Sequence, residues 1–376
     1  MDLAEFRSGV DAWLDANVDE LAPAHDANGS LDEHVAQVNK IKRMTYDAGW
    51  ARWGWPERVG GLGGDNLCRA YLAEVLVTRD LVQPGPYCMT EVLAPTMIGF
   101  AAESLAAEMV PQLLRGEETW CQGFSEPSTG SNLAALACTA TRTDTGWRVS
   151  GQKVWTSYAQ YAQRCVLLTR SGDSASRHKG ITALFVDMDS PGISVRPIHT
   201  MHGVDEFCEV FFDDVEVPIE RMLGNVGDGW AVAMDLLPYE RSTSLWLRGA
   251  YLSQRLHRLV ETADEGSIDA RDLGAAMESL YAFRARSRDT QHRLARGEKL
   301  GAETSIDKIL LAQAEQTVYD LVAATLPEHV VTGDDAVSSD WRAEFLYSRA
   351  ATIYGGTSEI QRNIVARRLL DLADEA

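Results

Sequence analysis

Basic charge is scarce in this chain: 35 lysines and arginines face 55 aspartates and glutamates among 376 residues, a formal charge of −20. Such a surface repels phosphate backbones and anionic headgroups, which argues against nucleic acid or a membrane surface as a partner. Cysteine is scarce as well. Cys68, Cys88, Cys121, Cys138, Cys165 and Cys208 form no CxxC pair and keep no regular spacing, so neither a zinc ribbon nor a disulfide framework is supported, and they read as reduced, mostly buried thiols. No run approaches the roughly 20 apolar residues of a membrane span. The opening MDLAEFRSGVDAW carries acids where a secretory leader has a basic region, and the expected location is cytoplasmic. What is present is a globular composition, 45% apolar and 24% charged, enough to fill the cores of two or three units of roughly 150 residues each.

The apolar period divides the chain into three. Leu3, Phe6, Val10, Trp13 and Leu14 share a helical face behind an Asp2/Glu5 capping box, and Ser30/Glu33 repeats the box ahead of Val35, Val38 and Ile41, with Gly49 placed to stop that helix. The Trp-, Pro- and Gly-dense stretch 50–65 reads as a packed loop whose glycines do not make a GxGxxG site. Helical pattern resumes over 66–80 and 95–115. From Trp120 short β-branched and aromatic runs alternate with turn residues (TATRT, DTG, WRVS, CVLLT, ITALFVD, EVFFDDVEV), and the polar stretch 171–180 reads as an exposed connection. Beyond Pro218 the helical period returns over 229–258, 304–326 and 344–370. The expected fold is α+β: an N-terminal helical domain (1–119), a middle β-barrel or sandwich-like domain (120–222) and a C-terminal four-helix bundle (223–376). The closing DLADEA reads as solvated surface.

Two segments concentrate chemistry. CQGFSEPSTGSN, residues 121–132, crowds hydroxyls and glycine into one turn at the entrance of the β-domain. Hydroxyls and unpaired backbone N–H groups in such a turn can grip a flavin edge, a pyrophosphate or a thioester carbonyl. In most proteins it is only a surface turn. GQKVWTSY, residues 151–158, places an indole before two hydroxyls, an arrangement able to cover a planar ring and bond its heteroatoms, although a core tryptophan ending a strand is the plainer reading. His199 and His202 lack a third ligand in any recognisable spacing, so no metal is expected.

Taken together, SEPSTGSN, GQKVWTSYAQYA, EVFFDDVEVPIERMLGNVGDGW and IYGGTSEIQRNIVARRLL resemble, in order and over nearly the whole length, the acyl-CoA dehydrogenase family. The resemblance implies FAD held between the β-domain and the C-terminal helices. It implies cofactor contacts from Gln122 and Phe124 through main-chain groups, and from Ser125, Gly130, Ser131, Trp155, Thr156, Ser157 and Thr357. Ser131 would also approach the thioester, with Tyr239 and Arg241 on the substrate side. Such enzymes take a proton from the carbon α to a thioester while a hydride leaves the β-carbon toward the flavin. The substrate implied is an acyl-CoA or acyl-carrier-protein thioester, and the electron acceptor an electron-transfer flavoprotein or a similar protein.

Two departures stand out. The usual base precedes the Gly-Thr of the last motif, whereas this chain reads Tyr354-Gly355-Gly356-Thr357. A minority of the family places the glutamate on an earlier helix just before an arginine, which Glu240-Arg241 matches, so Glu240 is the expected base; its plainer reading is a solvated or Arg-paired surface acid. The region LVETADEGSIDARDLGAAMESLYAF also lacks the Arg and the Q-F-G type segment that hold the FAD pyrophosphate in many relatives. The resemblance implies a homo-oligomer, dimer or tetramer, and the missing segment leaves a hetero-oligomer open. Two alternatives stay open beside the dehydrogenase: a half-site or noncatalytic subunit, and a flavin-dependent oxidase or monooxygenase on the same fold. Acyl identity and regiochemistry are not encoded in any local motif.

Overall fold

The computed structural model describes residues 1–25 and 29–372; the end of the DLADEA tail lies outside them. Both capping boxes form, starting α1 (Leu3–Ala16) and α3 (Leu31–Asp47) on either side of the short α2 (Val18–Leu21). Gly49 follows α3 at φ +87°, the left-handed position that ends a helix and favours glycine. Two single-turn helices then cross the tryptophan-rich loop to α4 (Asn66–Thr78). The helix expected from Pro95 starts eleven residues earlier: α5 spans Pro84–Phe100 and a separate α6 spans Glu103–Arg115. Pro84 is tolerated because the first turn needs no N–H partner. Pro95 lies inside α5, among buried Val92, Leu93, Ala94 and Met97, whose packing outweighs the missing hydrogen bond.

The middle domain comprises β1 (Trp120–Gly123), β2 (Thr139–Arg142), β3 (Gly146–Ser157), β4 (Arg164–Arg170), β5 (Ile181–Asp187), β6 (Ile193–Ile198), β7 (Phe207–Pro218) and β8 (Met222–Leu223). One part runs β6-β7-β3-β2, the other β4-β5-β8 with β1 parallel to β4, and a single Thr139–Arg170 pairing joins them. The result is sandwich-like rather than a closed barrel. Trp147, Val149, Cys165, Leu167, Leu184 and Val210 fill the space between the two parts.

The period expected over 229–258 is two helices, α7 (Gly229–Glu240) and α8 (Thr243–Thr262), broken at Arg241–Ser242. The sequence pattern missed α9 (Ala270–Ala295) altogether, because its buried stripe of Ala276, Leu280, Phe283, Ser287 and Thr290 is narrow and partly polar. Next come α10 (Thr304–Thr325), the short α11 (Pro327–Val331) and α12 (Ala336–Ser348). The last expected helix is interrupted: a single turn over Arg349–Thr352 and the Gly355-Gly356 bend precede α13 (Ser358–Arg368). Long helices α8, α9 and α10, with α13 against α10, make the C-terminal bundle. Residues of α5, α6 and α7 form one core with Val166, Leu168, Ile181, Ala183 and Phe185 of the sheet. That seam brings the end of α7 to β1.

Candidate active site

Glu240 is the last residue of α7, half-buried. Gln122 on β1 donates its Nε2 proton to Glu240 Oε2 at 3.3 Å. From the other side Arg241 Nε donates to the carbonyl of Gly355 at 3.2 Å, and Gln361 Nε2 donates to the carbonyls of Gly355 (2.9 Å) and Gly356 (3.2 Å). The bend is therefore held against the α7 terminus. A β-carbon placed on Gly355 would lie 3.0 Å from Glu240 Oε1 and 3.2 Å from Lys308 Cε. The carboxylate thus lies over the position where the sequence carries no side chain. Gly355 has φ +62° and Gly356 φ +94°, so a side chain at 355 meets both a strained backbone and an occupied space. Gly355→Ala is expected to lower stability by about 1–2 kcal/mol and to displace the Glu240 carboxylate; thermal melts beside turnover assays measure both.

The second wall is the turn after β1. Glu126, 5% exposed, accepts the backbone N–H groups of Ala137 (2.6 Å) and Cys138 (2.9 Å) and pairs with fully buried Lys153 at 2.7 Å. Lys153 Nζ also donates to the carbonyl of Phe124 at 3.2 Å, and Val154 N–H donates to that of Ser125 at 2.9 Å. This ion pair was not singled out from the sequence. The signal was there, since Lys153 has the same strand parity as buried Trp147 and Val149.

Beyond Lys153 the pairing of β3 with β7 shifts before Thr156, and the bulge holds Trp155 at φ +60°. Trp155 is 57% exposed, its ring edge-on to Phe207 at 5.9 Å. Thr156 is buried, and its Oγ1 has no partner; Thr129 Oγ1 in the turn is likewise enclosed and unpaired. Buried hydroxyls without partners and a large uncovered indole beside them mark a place built for a planar, heteroatom-bearing group. Ser125 and Ser157 are half-buried at its edge, and Phe124 is buried. Gly130 and Ser131 lie exposed at the outer end of the turn. Thr357 caps α13, accepting the Ile360 N–H at 3.3 Å, and joins the site through the adjoining Gly355-Gly356 bend. Tyr239 and Arg241 are half-buried on either side of Glu240. Burial draws the Arg241 guanidinium below its ordinary value against the opposing pull of Glu240, and burial pushes Tyr239 up.

Just beyond β3, Tyr158 OH donates to Glu206 Oε2 at 3.0 Å. Burial pushes the Glu206 carboxyl up to about 7 against the opposing Tyr158 hydrogen bond. An acid raised in the folded state keeps its proton where the unfolded chain has released it. Stability therefore falls as pH rises from about 4.5 to about 7. Glu206→Gln is expected to remove that slope, worth about 2 kcal/mol after allowance for its partial exposure, in chemical denaturation at pH 5 and pH 8.

Three family descriptions match most of the chain: "Acyl-CoA dehydrogenase, N-terminal domain" matches residues 2–117, the middle domain 121–215 and the C-terminal domain 227–370. The chain belongs to the acyl-CoA dehydrogenase family, which makes it an oxidoreductase with FAD as its cofactor. It is 36% identical to the acyl-CoA dehydrogenase IpdE1 of Mycobacterium tuberculosis, across 100% of this chain and 99% of that one. In fold it is similar to a glutaryl-coenzyme A dehydrogenase in complex with glutaryl-CoA (TM-score 0.84, 20% identity, 99% of this chain and 97% of that one). It is also similar to a chain of the ChsE4–ChsE5 complex from Mycobacterium tuberculosis (TM-score 0.77, 23% identity, 99% and 100%). The FAD fits this chain's own residues: the unpaired Thr156 and Thr129 hydroxyls offer bonds to ring heteroatoms, and Trp155 offers its uncovered face. No helix among the described residues is long and apolar enough to cross a membrane.

Proposed function

We propose that the chain is an acyl-thioester dehydrogenase in which Glu240 removes the α-proton and an enoyl thioester forms. The supporting observation is the Glu240 carboxylate lying over the bare Gly355 bend, tied to β1 by Gln122 and flanked by Arg241. Trp155, Thr156, Ser157, Ser125 and Thr357 would hold FAD, which when bound would supply the acceptor for the hydride lost from the β-carbon. Gln122 orients the carboxylate and Phe124 closes the apolar side. Ser131, exposed on the turn, meets the thioester as it enters, Gly130 beside it lets the turn approach the cofactor, and Tyr239 and Arg241 line the acyl side. The proton moves from the substrate α-carbon to a Glu240 oxygen, and apolar walls that exclude water strengthen each of these interactions. The substrate is an acyl-CoA or acyl-carrier-protein thioester, the electron acceptor an electron-transfer flavoprotein or similar, and the assembly a homo-oligomer in the cytoplasm.

Anaerobic titration of the FAD-loaded protein with straight, branched and ring-bearing acyl thioesters tests this reading. Loss of flavin absorbance with at least one of them is expected. Undiminished flavin absorbance with every thioester would overturn it, as would, in a separate aerobic assay, oxygen consumption coupled to product formation. A heteromeric assembly is the second reading, favoured by the missing pyrophosphate-binding segment between α8 and α9; one of the structural neighbours is a complex of two named proteins. FAD content of the chain alone, compared with that after co-expression with a related subunit, separates the two.

A further inference from the structure

A cavity of about 20 Å³ lies inside the N-terminal domain, walled by Lys42 of α3, Arg69 of α4, Tyr87, Thr90 and Glu91 of α5, and Trp55. We infer that it seats a hydrogen-bond-accepting oxygen, of a ketone or a carboxylate, at the far end of the substrate's acyl chain. The inference deepens the acyl-thioester reading of the site and rests on it.

The walls are polar, buried and incompletely partnered. Arg69 Nε and Glu91 Oε2 stand 3.6 Å apart, too far for a hydrogen bond, and each is enclosed without a hydrogen-bond partner. Thr90 Oγ1 is enclosed and unpaired as well. Lys42, 4% exposed, holds its ammonium 5.8 Å from the centre of the Tyr87 ring and makes no hydrogen bond or ion pair among the described residues. Buried polar groups are normally satisfied, so this grouping around one space marks a missing partner. Arg69 is also fixed in advance. Its guanidinium lies 3.7 Å from the centre of the Trp55 ring and its Nη2 donates to Asn66 Oδ1, while Asn66 Nδ2 donates to Gln291 Oε1 of α9 at 2.7 Å. A cation held from three sides is pre-set for recognition.

Charge selects the partner. Two cations, Lys42 and Arg69, share the cavity with one carboxylate, and burial pushes the Glu91 carboxyl up, which weakens the negative charge further. An acceptor oxygen answers this surplus of donors, whereas a methyl end would leave them buried and unpaired. The space is that of one water-sized group, which is the size of a terminal oxygen. The cavity also lies toward the base. The charges of Lys42 and Glu240 both act on the Cys88 thiol of α5, and that of Arg69 acts on the Tyr239 hydroxyl, next to Glu240. Helix α5 packs along α7. A chain held by its thioester at Glu240 and running past Tyr239 and Cys88 therefore directs its far end to Lys42 and Arg69.

The test is turnover of the FAD-loaded protein with pairs of straight, branched and ring-bearing acyl-CoA thioesters, each pair sharing one carbon skeleton and differing only in whether the far end carries an oxygen. For at least one skeleton, kcat/KM is expected to be about tenfold or more higher with the ketone or carboxylate end than with the hydrocarbon end. Lys42→Met is expected to lower that ratio by about fivefold or more. Should Lys42→Met fail to fold, Thr90→Val, which removes a hydroxyl at nearly constant volume, must show the fall instead. A wild-type ratio below about tenfold for every skeleton turned over, which would leave the cavity to a single water, overturns the inference. So does a high ratio that the folded variant preserves. If no thioester of any skeleton reduces the flavin, the acyl-thioester reading itself has failed; if thioesters are turned over and only the ratios fail, that reading stands and the role of the cavity falls.

Discussion

Exchanging Glu240 for glutamine is expected to slow thioester-driven reduction of the flavin by about a thousandfold or more, while FAD content and melting temperature stay near the wild-type values. The amide keeps the shape and can still pair with Gln122, but it has no lone pair basic enough to accept a proton from carbon, and the loss of a positioned general base typically removes two to four orders of magnitude. Position 355, before the Gly-Thr of the last motif, is glycine and offers no carboxylate to substitute. Stopped-flow absorbance at saturating thioester measures the effect. A loss of less than about tenfold would mean that the proton leaves by another route.

Lys153→Met should do the opposite, harming the scaffold first and the chemistry as a consequence. Lys153 and Glu126 are both enclosed, and Glu126 also holds the Ala137 and Cys138 N–H groups. Removing the lysine leaves a buried carboxylate without its cation, a change that costs about 3–5 kcal/mol. The turn from Phe124 to Asn132 is tied to β3 through that pair and through the Ser125–Val154 hydrogen bond, so the hydroxyls proposed to hold FAD lose their frame as well. The expected signature is a lower denaturation midpoint together with faster FAD loss. The double change Lys153→Met with Glu126→Gln should recover part of the stability, because no unpaired charge then stays inside. Equal midpoints for wild type and the single variant would show that the pair is not a structural brace.

Much of this arrangement was legible in the residues themselves. The capping boxes of α1 and α3, the left-handed stop at Gly49 and the change to strands at Trp120 follow from local rules and stand as expected. Where tertiary packing decides, the pattern was misleading. The proline at 84 looks like a breaker yet starts α5, and the apolar stripe that crosses residues 229–258 hides the break at Arg241 that sets Glu240 at a helix end. The bend at Gly355 reads as the loss of a base; only the folded chain shows the carboxylate of α7 lying over it. Lys42 and Glu91 are invisible for a related reason. They fall among the buried residues of α3 and α5, beside Ile41 and Val92, where periodicity predicts core and says nothing of which charges face each other across helices.

An acyl thioester with sulfur in place of its β-carbon has an α C–H but no β-hydrogen to give up, so it isolates the proton step from flavin reduction. Incubated in D2O with the FAD-loaded wild type, it should gain deuterium at the α-carbon, followed by proton NMR, while the Glu240→Gln protein exchanges no faster than buffer. Equal exchange by both proteins would contradict the assignment of Glu240 as the group that takes the proton.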